Sequence, residues 1–317
     1  MAFEEYCFRN LPLENEEYVF LWSNSPTILL GKNQNTYQEI NEKYINENGI
    51  KVVRRITGGG AIYQDLENLN FSFVTKTKGN EKIDFKKYYI PIVNALKKIG
   101  VDAELSGRND VTIEGQKCIG ASQSVWQGRV LSDGSILFNV EMDALSKALT
   151  VRKEKLESKG VKSVRSRVTN IKPYLKRDIT VDEFKDELLK AIFEIENQEP
   201  IEYKLSEEEL KGVMKIYEER FSRKEWNYGA SPKAKYSHYE RFPIGSIEVF
   251  FNVENMKINS LKIHGDFFGT ADKAELEELL NGCEYSESVL TEKLRNTDLT
   301  PYFGNLEKKD FIGMFFK

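Results

Sequence analysis

The chain has 317 residues, 40% of them hydrophobic and 30% charged, with a formal net charge of −4. That length allows two domains and a sizeable core, and no apolar run approaches the roughly 18 residues of a membrane span. Three cysteines without CxxC spacing and two histidines argue against a disulfide framework or a zinc site; MAFEEYCF lacks the basic start of a signal peptide, so a reduced, cytoplasmic protein is expected.

EEYVFLW (16–22) and PTILLGK (26–32) read as strands around an SNSP turn. EINEKYINENGI (39–50) fits a short helix closed by Gly49, followed by a strand, KVVRRI (51–56). AIY (61–63) and LNFSFVT (69–75) are expected to pair as a hairpin across DLEN, with Leu69, Phe71 and Phe73 on one face. Phe85, Tyr88, Tyr89, Ile92, Leu96 and Ile99 recur at helical spacing up to Gly100, with Pro91 predicting a kink or a later start. DVTI (110–113), CIGASQSVW (118–126) and SILFNV (135–140) read as strands of the same sheet. Thr180 with Glu183 and Ser206 with Glu209 predict two capping boxes opening helices. WNYGASPK (226–233) is the candidate boundary; beyond it GSIEVFFNV (245–253) and KINSLKIHG (257–265) read as strands before three short helical patterns. The expectation is a mixed α/β (α+β) domain over 1–240 and a small α+β domain over 241–317.

Four constellations carry potential chemistry. RRITGGG (54–60) runs a strand end into bare backbone beside two cations, a pattern that suits an anion-binding nest or a loop alone. GRNDVTIEGQK (107–117) is read as placing Asp110 and Lys117 at comparable ends of two paired strands. There Asp110 could hold Mg²⁺ on phosphates, and Lys117, at its ordinary pKa of about 10.4, would serve as a cation. KGVKSVRSRVTNI (159–171) centres a basic stretch, with ten Lys/Arg against two Glu from Arg152 to Arg177. That stretch fits a solvated face, a polyanionic ligand or an acidic partner; it lacks the interleaved aromatics of a nucleic-acid site. Asn68, in a turn, has an amide that can read a purine edge. No GxxxxGK[ST], GxSxG or HExxH is present.

Together RRITGGGAIYQDLENLNFSF, GRNDVTIEGQKCIGAS and ESKGVKSVRSRVTNI resemble, in order and spacing, the lipoate–protein ligases of the biotin/lipoyl-ligase-like superfamily. GKNQNTYQEIN (31–41), WNYGASPK and IHGDFFG (263–269) extend the resemblance to nearly the whole chain. It implies an enzyme that joins lipoate to ATP as lipoyl-AMP, with Mg²⁺. The lipoyl group then goes to a lysine of lipoyl-domain acceptors: the E2 subunits of 2-oxoacid dehydrogenases and the glycine-cleavage H protein. The implied fold is a catalytic domain with a movable C-terminal accessory domain. By the same resemblance, Arg55, Thr57 and Gly58, Gly59 and Gly60 line the lipoate and phosphate region, and Asn68 contacts adenine. Asn109 and Asp110 serve the nucleotide and metal. Lys117 holds the acyl carbonyl and phosphate, and 159–170, with Ser163, Val164, Arg165 and Ser166, forms the adenylate-binding loop.

The chain departs from the family's pattern at four places. Gln64 and Asp133 stand where ligases usually carry histidines; Ile119 replaces a serine in K-x-SG; and MAFEEYCF resembles a stretch about a dozen residues inside other members. The two substitutions at the substrate site keep two alternatives open. One is a lipoyltransferase that uses preformed lipoyl-AMP or protein-bound lipoyl groups, with Cys118 as a thiol to test. The other is a catalytically silent lipoate-binding paralogue.

Overall fold

The computed structural model describes residues 1–14, 16–77, 84–107, 109–150, 167–195, 199–229 and 234–316. Its strands are β1 (Tyr18–Trp22), β2 (Thr27–Leu30), β3 (Lys51–Arg54), β4 (Ile62–Gln64), β5 (Asn68–Lys76), β6 (Glu104–Ser106), β7 (Asp110–Ile113), β8 (Gln116–Trp126), β9 (Arg129–Leu137), β10 (Tyr236–Phe242), β11 (Gly245–Glu254) and β12 (Lys257–Gly265). A six-stranded sheet runs β1-β5-β9-β8-β7-β6 and is antiparallel throughout. A small sheet, β3-β2-β4, is mixed, with β2 parallel to β3 and antiparallel to β4. The third sheet is β10-β11-β12. The architecture is α+β.

Alternation along β5 explains the layering. Leu69 and Phe71 are buried, and Phe73 packs beside them, against the helices Phe85–Lys98 and Val181–Ile195. Gly134 of β9 lies where the Phe71 ring crosses the sheet, and a Cβ there would meet that ring. The intervening residues Asn68, Asn70 and Ser72 are buried on the opposite face, with Ser122 of β8 and Asp133 and Ser135 of β9 in register with them. Polar side chains packed inward in this way need partners, and the candidate site is built around them.

The two capping boxes form as expected. Thr180 N–H donates to Glu183 (2.8 Å) and Ser206 N–H to Glu209 (2.7 Å), and the returning N–H bonds measure 3.2 and 3.3 Å. Several expectations are corrected. AIY and LNFSFVT do not pair: β4 joins the small sheet through β2, while β5 pairs with β1 and β9, because DLEN carries the chain from one sheet to the other. For the same reason β1 and β2 flank the SNSP turn without pairing. The segment 39–50 is not one helix; Thr36–Glu39 and Glu42–Glu47 are separated at Ile40, which bridges Leu149. Pro91 lies inside a helix that already starts at Phe85, capped by Asp84 accepting from Lys86 N–H at 3.0 Å. β9 begins at Arg129, six residues before the expected strand. MAFEEYCF opens with a helix, Ala2–Asn10. Four short helices, not three, follow β12.

The C-terminal sheet has its own core of Phe251, Phe267, Phe303, Phe311 and Phe315. It seats on the glycine turn. Phe268 packs edge-on to Phe85 (5.2 Å between centroids), and Gly265 N–H donates to Asn33 O at 3.1 Å. Among the described residues no helix is long and apolar enough to cross a membrane.

Candidate active site

The two arginines of RRITGGG point inward and are held by the protein itself. Arg54 donates to the carbonyls of Gly31 (3.0 Å), Lys32 (3.2 Å), Gln34 (2.7 Å) and Trp226 (2.9 Å), and to Thr36 Oγ1 (2.6 Å). Burial, and then the neighbouring Arg55 charge, lower its pKa to about 10. Arg55 donates to Leu29 O (3.2 Å), Gly58 O (2.6 Å), Gly60 O (2.9 Å) and Ser122 Oγ (3.1 Å). Its pKa is also lowered by burial, against the opposing pull of Asp133 and Glu4. The guanidinium forks thus collect loop carbonyls that would otherwise be stranded in the interior.

Bare backbone is needed here on the protein's own account. A Cβ on Gly58 would sit 2.7 Å from Phe267 O, and one on Gly31 would run into Gly59 O. Gly59 itself has φ +90°, a region that side chains avoid. Gly59 and Gly60 nevertheless line a cavity of about 350 Å³, together with Arg55, Lys117 and Asp133. A second, apolar pocket of about 100 Å³, lined by Ala61, Ile62, Tyr63, Leu145 and Val168, meets it at Lys117 and Gly120.

Lys117 and Asp110 come together by a route different from the one expected. The register sets Asp110 opposite Gly120 and Lys117 opposite Thr112, so the two lie at opposite ends of the β7–β8 hairpin. The lysine side chain runs along the sheet over Gly120 to bring Nζ 2.6 Å from Asp110 Oδ1. Arg167 approaches the same carboxylate at 3.7 Å. The chain after the basic stretch returns beside Lys117, with Val168 bridging it and Thr169 N–H donating to Lys117 O at 2.9 Å. Ser163, Val164, Arg165 and Ser166 lie outside the described residues.

The other predicted residues occupy defined positions. Asn109 lines the cavity and its amide donates to Ala121 O at 2.8 Å. Asn68 is buried beneath the cavity wall, donating to Asn70 Oδ1 (3.1 Å) and accepting from Ser135 Oγ (2.9 Å), so in this arrangement it supports the wall through Asn70. Gln64 donates to Asn70 Oδ1 (2.7 Å) and accepts from Asn24 (3.0 Å). Asp133 Oδ2 accepts from Ser122 Oγ (2.7 Å) and Thr57 Oγ1 (3.5 Å).

Asp133 is drawn into a buried acid pair. Glu4, on the opening helix, accepts from Ser72 Oγ at 2.7 Å, and Ser72 is the register partner of Asp133. Burial, then the Asp133 charge, push the Glu4 carboxyl up to about 7. The Asp133 pKa is also raised by burial, with Arg55, Ser122 and Thr57 opposing. Cys118 is the extra residue of a β-bulge; its thiol is fully buried, faces Val111 O at 3.4 Å and is pushed up by burial to about 12. Among the described residues no group of three or more acidic, histidine or cysteine side chains is placed to hold a metal.

Sequence reasoning did not single out Asn70, Ser122, Ser135 or Glu4, and it named Arg167 only as part of 159–170. For Asn70 the signal was the polar half of the β5 alternation whose apolar half, Leu69 and Phe71, was used to place the core.

Residues 1–193 match the model of the lipoyl protein ligase A/B catalytic domain, and residues 231–315 that of the bacterial lipoate protein ligase C-terminus. The chain is 46% identical to lipoate-protein ligase LplJ of Bacillus subtilis, over all of this chain and 96% of that protein. The crystal structure of P. falciparum LipL1 in complex with lipoate superimposes with a TM-score of 0.78 at 28% identity, covering 98% of this chain and 93% of that one. A lipoate-protein ligase A structure bound with ATP gives a TM-score of 0.62 at 26% identity, over 72% and 92% of the two chains.

Proposed function

The chain belongs to the lipoate–protein ligase family, and we infer that it activates lipoate with ATP and passes the lipoyl group to a lysine of an acceptor protein. The observation that carries the reading is the Lys117 ammonium, held over Gly120 where the two cavities meet. In the first step a lipoate carboxylate oxygen attacks the α-phosphorus of ATP, and pyrophosphate leaves. Two anions must approach, and a fixed cation there offsets the charge as it builds. In the second step the acceptor amine attacks the acyl carbonyl, loses a proton and expels AMP. Lys117 serves both steps as a cation bound to the acyl oxygen and phosphate.

Electrostatics orient the substrates. The end of the large cavity near Asp133 has Glu4 close behind it, with the Arg55 guanidinium opposing their charge, so it is a poor place for a triphosphate. The phosphates belong at Lys117 and Arg167, with Asn109 beside them and residues 159–170 as the adenylate-binding loop. The acyl chain then runs past Gly58, Gly59 and Gly60 toward Arg55 and Thr57, and Asn68 acts on the base's surroundings through Asn70. Among the described residues Asp110 is the carboxylate beside Lys117 and Arg167, which fits Mg²⁺ arriving on the nucleotide with one protein ligand and the rest from phosphates and water. Bound there, Mg²⁺ would neutralise phosphate charge.

The remaining parts of the proposal follow from the family. The acceptors are lipoyl domains of 2-oxoacid dehydrogenase E2 subunits and the glycine-cleavage H protein, in the cytoplasm. A catalytic part covers 1–240 and an accessory part 241–317; the pairing of β10 with β11 favours counting 236–240 with the accessory part. A thioester route through Cys118 is disfavoured by its buried, protonated thiol. The test is incubation with lipoate, Mg²⁺, ATP and an apo lipoyl domain, followed by mass measurement of the acceptor, beside a sample given lipoyl-AMP. Lipoylation in both is expected; modification from lipoyl-AMP alone would assign the lipoyltransferase instead, and none from either the silent paralogue.

A further inference from the structure

The large cavity takes its lining from both parts of the chain. β8 contributes Lys117 and Gly120, while the accessory part contributes Arg241, Pro243, Gly245, Asp266 and Phe268. None of these last five is used in the two steps above, and Arg241 is the cation among them.

Local structure fixes that arginine. β10 and β11 turn through Pro243 and Ile244, with Phe242 opposite Gly245 and Arg241 opposite Ser246. A Cβ on Gly245 would meet Asp266 O and Oδ1 at 2.9 Å, so the hairpin end closes directly on Asp266. Asp266 Oδ1 accepts from Ser246 N–H (2.6 Å) and Ser246 Oγ (2.9 Å), and its Oδ2 faces Arg241 Nη1 at 3.7 Å. That spacing is an ion pair longer than a hydrogen bond. Nη1 is buried, yet the arginine side chain is 22% exposed, so its exposed part lies away from that nitrogen. The following residues, Phe267 and Phe268, pack on Gly58 and Gly59, which sets the pair beside the glycine turn.

The cations already assigned are partly committed. Lys117 and Arg167 share the Asp110 carboxylate. Arg55 directs four of its five N–H groups to three carbonyls and Ser122. Adenylation takes a triphosphate, and negative charge builds on the departing pyrophosphate as the α-phosphorus loses its bridging oxygen. Transfer from lipoyl-AMP releases no pyrophosphate. A guanidinium suits that leaving group, because its planar fork binds two phosphate oxygens at once.

We propose that Arg241 binds the β- and γ-phosphates of ATP and stabilises the pyrophosphate as it leaves, so that the accessory part supplies a cation to adenylation but not to transfer. The inference rests on the ligase reading. Asp266 is the positioning residue that orients the guanidinium by holding Nη1.

Pyrophosphate release from lipoate and ATP, transfer from lipoyl-AMP to an apo lipoyl domain, and melting temperature are measured on the full chain, Arg241→Gln and Arg241→Lys. Loss of a charge-assisted hydrogen bond predicts that Arg241→Gln lowers kcat/KM for ATP by roughly 10- to 100-fold, with KM for lipoate and the transfer rate within about threefold of wild type. Arg241→Lys, which keeps the charge but not the fork, should fall between. Calorimetric binding of magnesium pyrophosphate should weaken by roughly tenfold in Arg241→Lys, while AMP binding holds. Unchanged adenylation in Arg241→Gln overturns the proposal. So does a loss shared by both half-reactions and matched by a drop in melting temperature, which would leave the ion pair only seating the accessory part. A shift confined to KM for lipoate would assign Arg241 to the acid's carboxylate and overturn it too. If Arg241→Gln does not fold, pyrophosphate binding to Arg241→Lys decides. Absence of turnover in the wild type would count against the ligase reading, whereas the calorimetric comparison would still decide the phosphate site.

Discussion

Gly120→Ala isolates the role of Lys117 without touching the lysine. An ideal Cβ at position 120 would lie 2.5 Å from Lys117 Nζ and 2.7 Å from Cε. Van der Waals contact requires the ammonium to move by roughly 1 Å, and a misplacement of that size costs on the order of 100-fold in rate, or about 2.7 kcal/mol of transition-state stabilisation. The neighbour that must move is the end of a flexible side chain, so the sheet need not shift. Alanine in a strand is favoured over glycine by about 0.5–1 kcal/mol, and the melting temperature should hold or rise. Pyrophosphate release from lipoate and ATP, and transfer from lipoyl-AMP, are measured separately; both should fall, because the same ammonium serves both steps. In a Lys117→Ala background Gly120→Ala should add little, since the two act on one group. Full activity in Gly120→Ala, or a loss matched by a drop in melting temperature, would refute the assignment.

Three further outcomes follow from the same geometry. Cys118→Ala should leave both half-reactions intact and cost about 1 kcal/mol of stability, measured by urea melts, because the thiol is a core atom at the bulge; loss of transfer alone would restore the thioester route. Gly59→Ala forces a side chain into φ +90° with Cβ 2.9 Å from the Phe268 ring, so it should destabilise by about 1–3 kcal/mol and raise protease sensitivity after Tyr228; unchanged stability would mean that the glycine turn is not pinned by the C-terminal unit. Glu4, with its carboxyl pushed up to about 7 from an ordinary value near 4.5, keeps its proton in the folded chain where the unfolded chain has lost it. Its contribution to stability therefore declines as pH rises from about 4.5 to 7. The melting-temperature advantage of Glu4→Gln over wild type should grow across that window, and a difference that does not change with pH would contradict the buried acid pair.

Local signals were legible where one residue type has one use. The capping boxes, the helical spacing from Phe85 to Ile99 and the apolar side of β5 could be read directly, and the resemblance identified the family. Pairing was less legible. DLEN is a good turn sequence, but whether its flanking strands meet or separate into two sheets depends on β1, β2 and β9, which are remote in sequence. The arginines were misjudged in emphasis for a related reason. From RRITGGG alone a cation beside bare backbone reads as an anion site, whereas the carbonyls that claim Arg54 come from Gly31, Lys32, Gln34 and Trp226. Asp110 and Lys117 were read at comparable ends of paired strands, whereas the tight turn at Glu114–Gly115 sets Lys117 opposite Thr112 and Asp110 opposite Gly120, and only the length of the lysine side chain brings the two together.

The polar face of the main sheet shows how fold and site share one sequence pattern. A strand between two layers is ordinarily apolar on both sides; β5 is not, since Asn68, Asn70 and Ser72 are as buried as Leu69 and Phe71. Burying such groups is unfavourable unless they are paired, and the network through Gln64, Ser135, Ser122 and Thr57 supplies most of the pairs. The glycines and the two inward arginines let the small sheet close over this face without filling it. What remains is a cavity with the Lys117 ammonium at the end where charge must change hands and the Asp133 carboxyl, held by Ser122 and Thr57, at the other. Rigid polar walls of this kind discriminate between acids more by what they leave unpaired than by how much surface they cover.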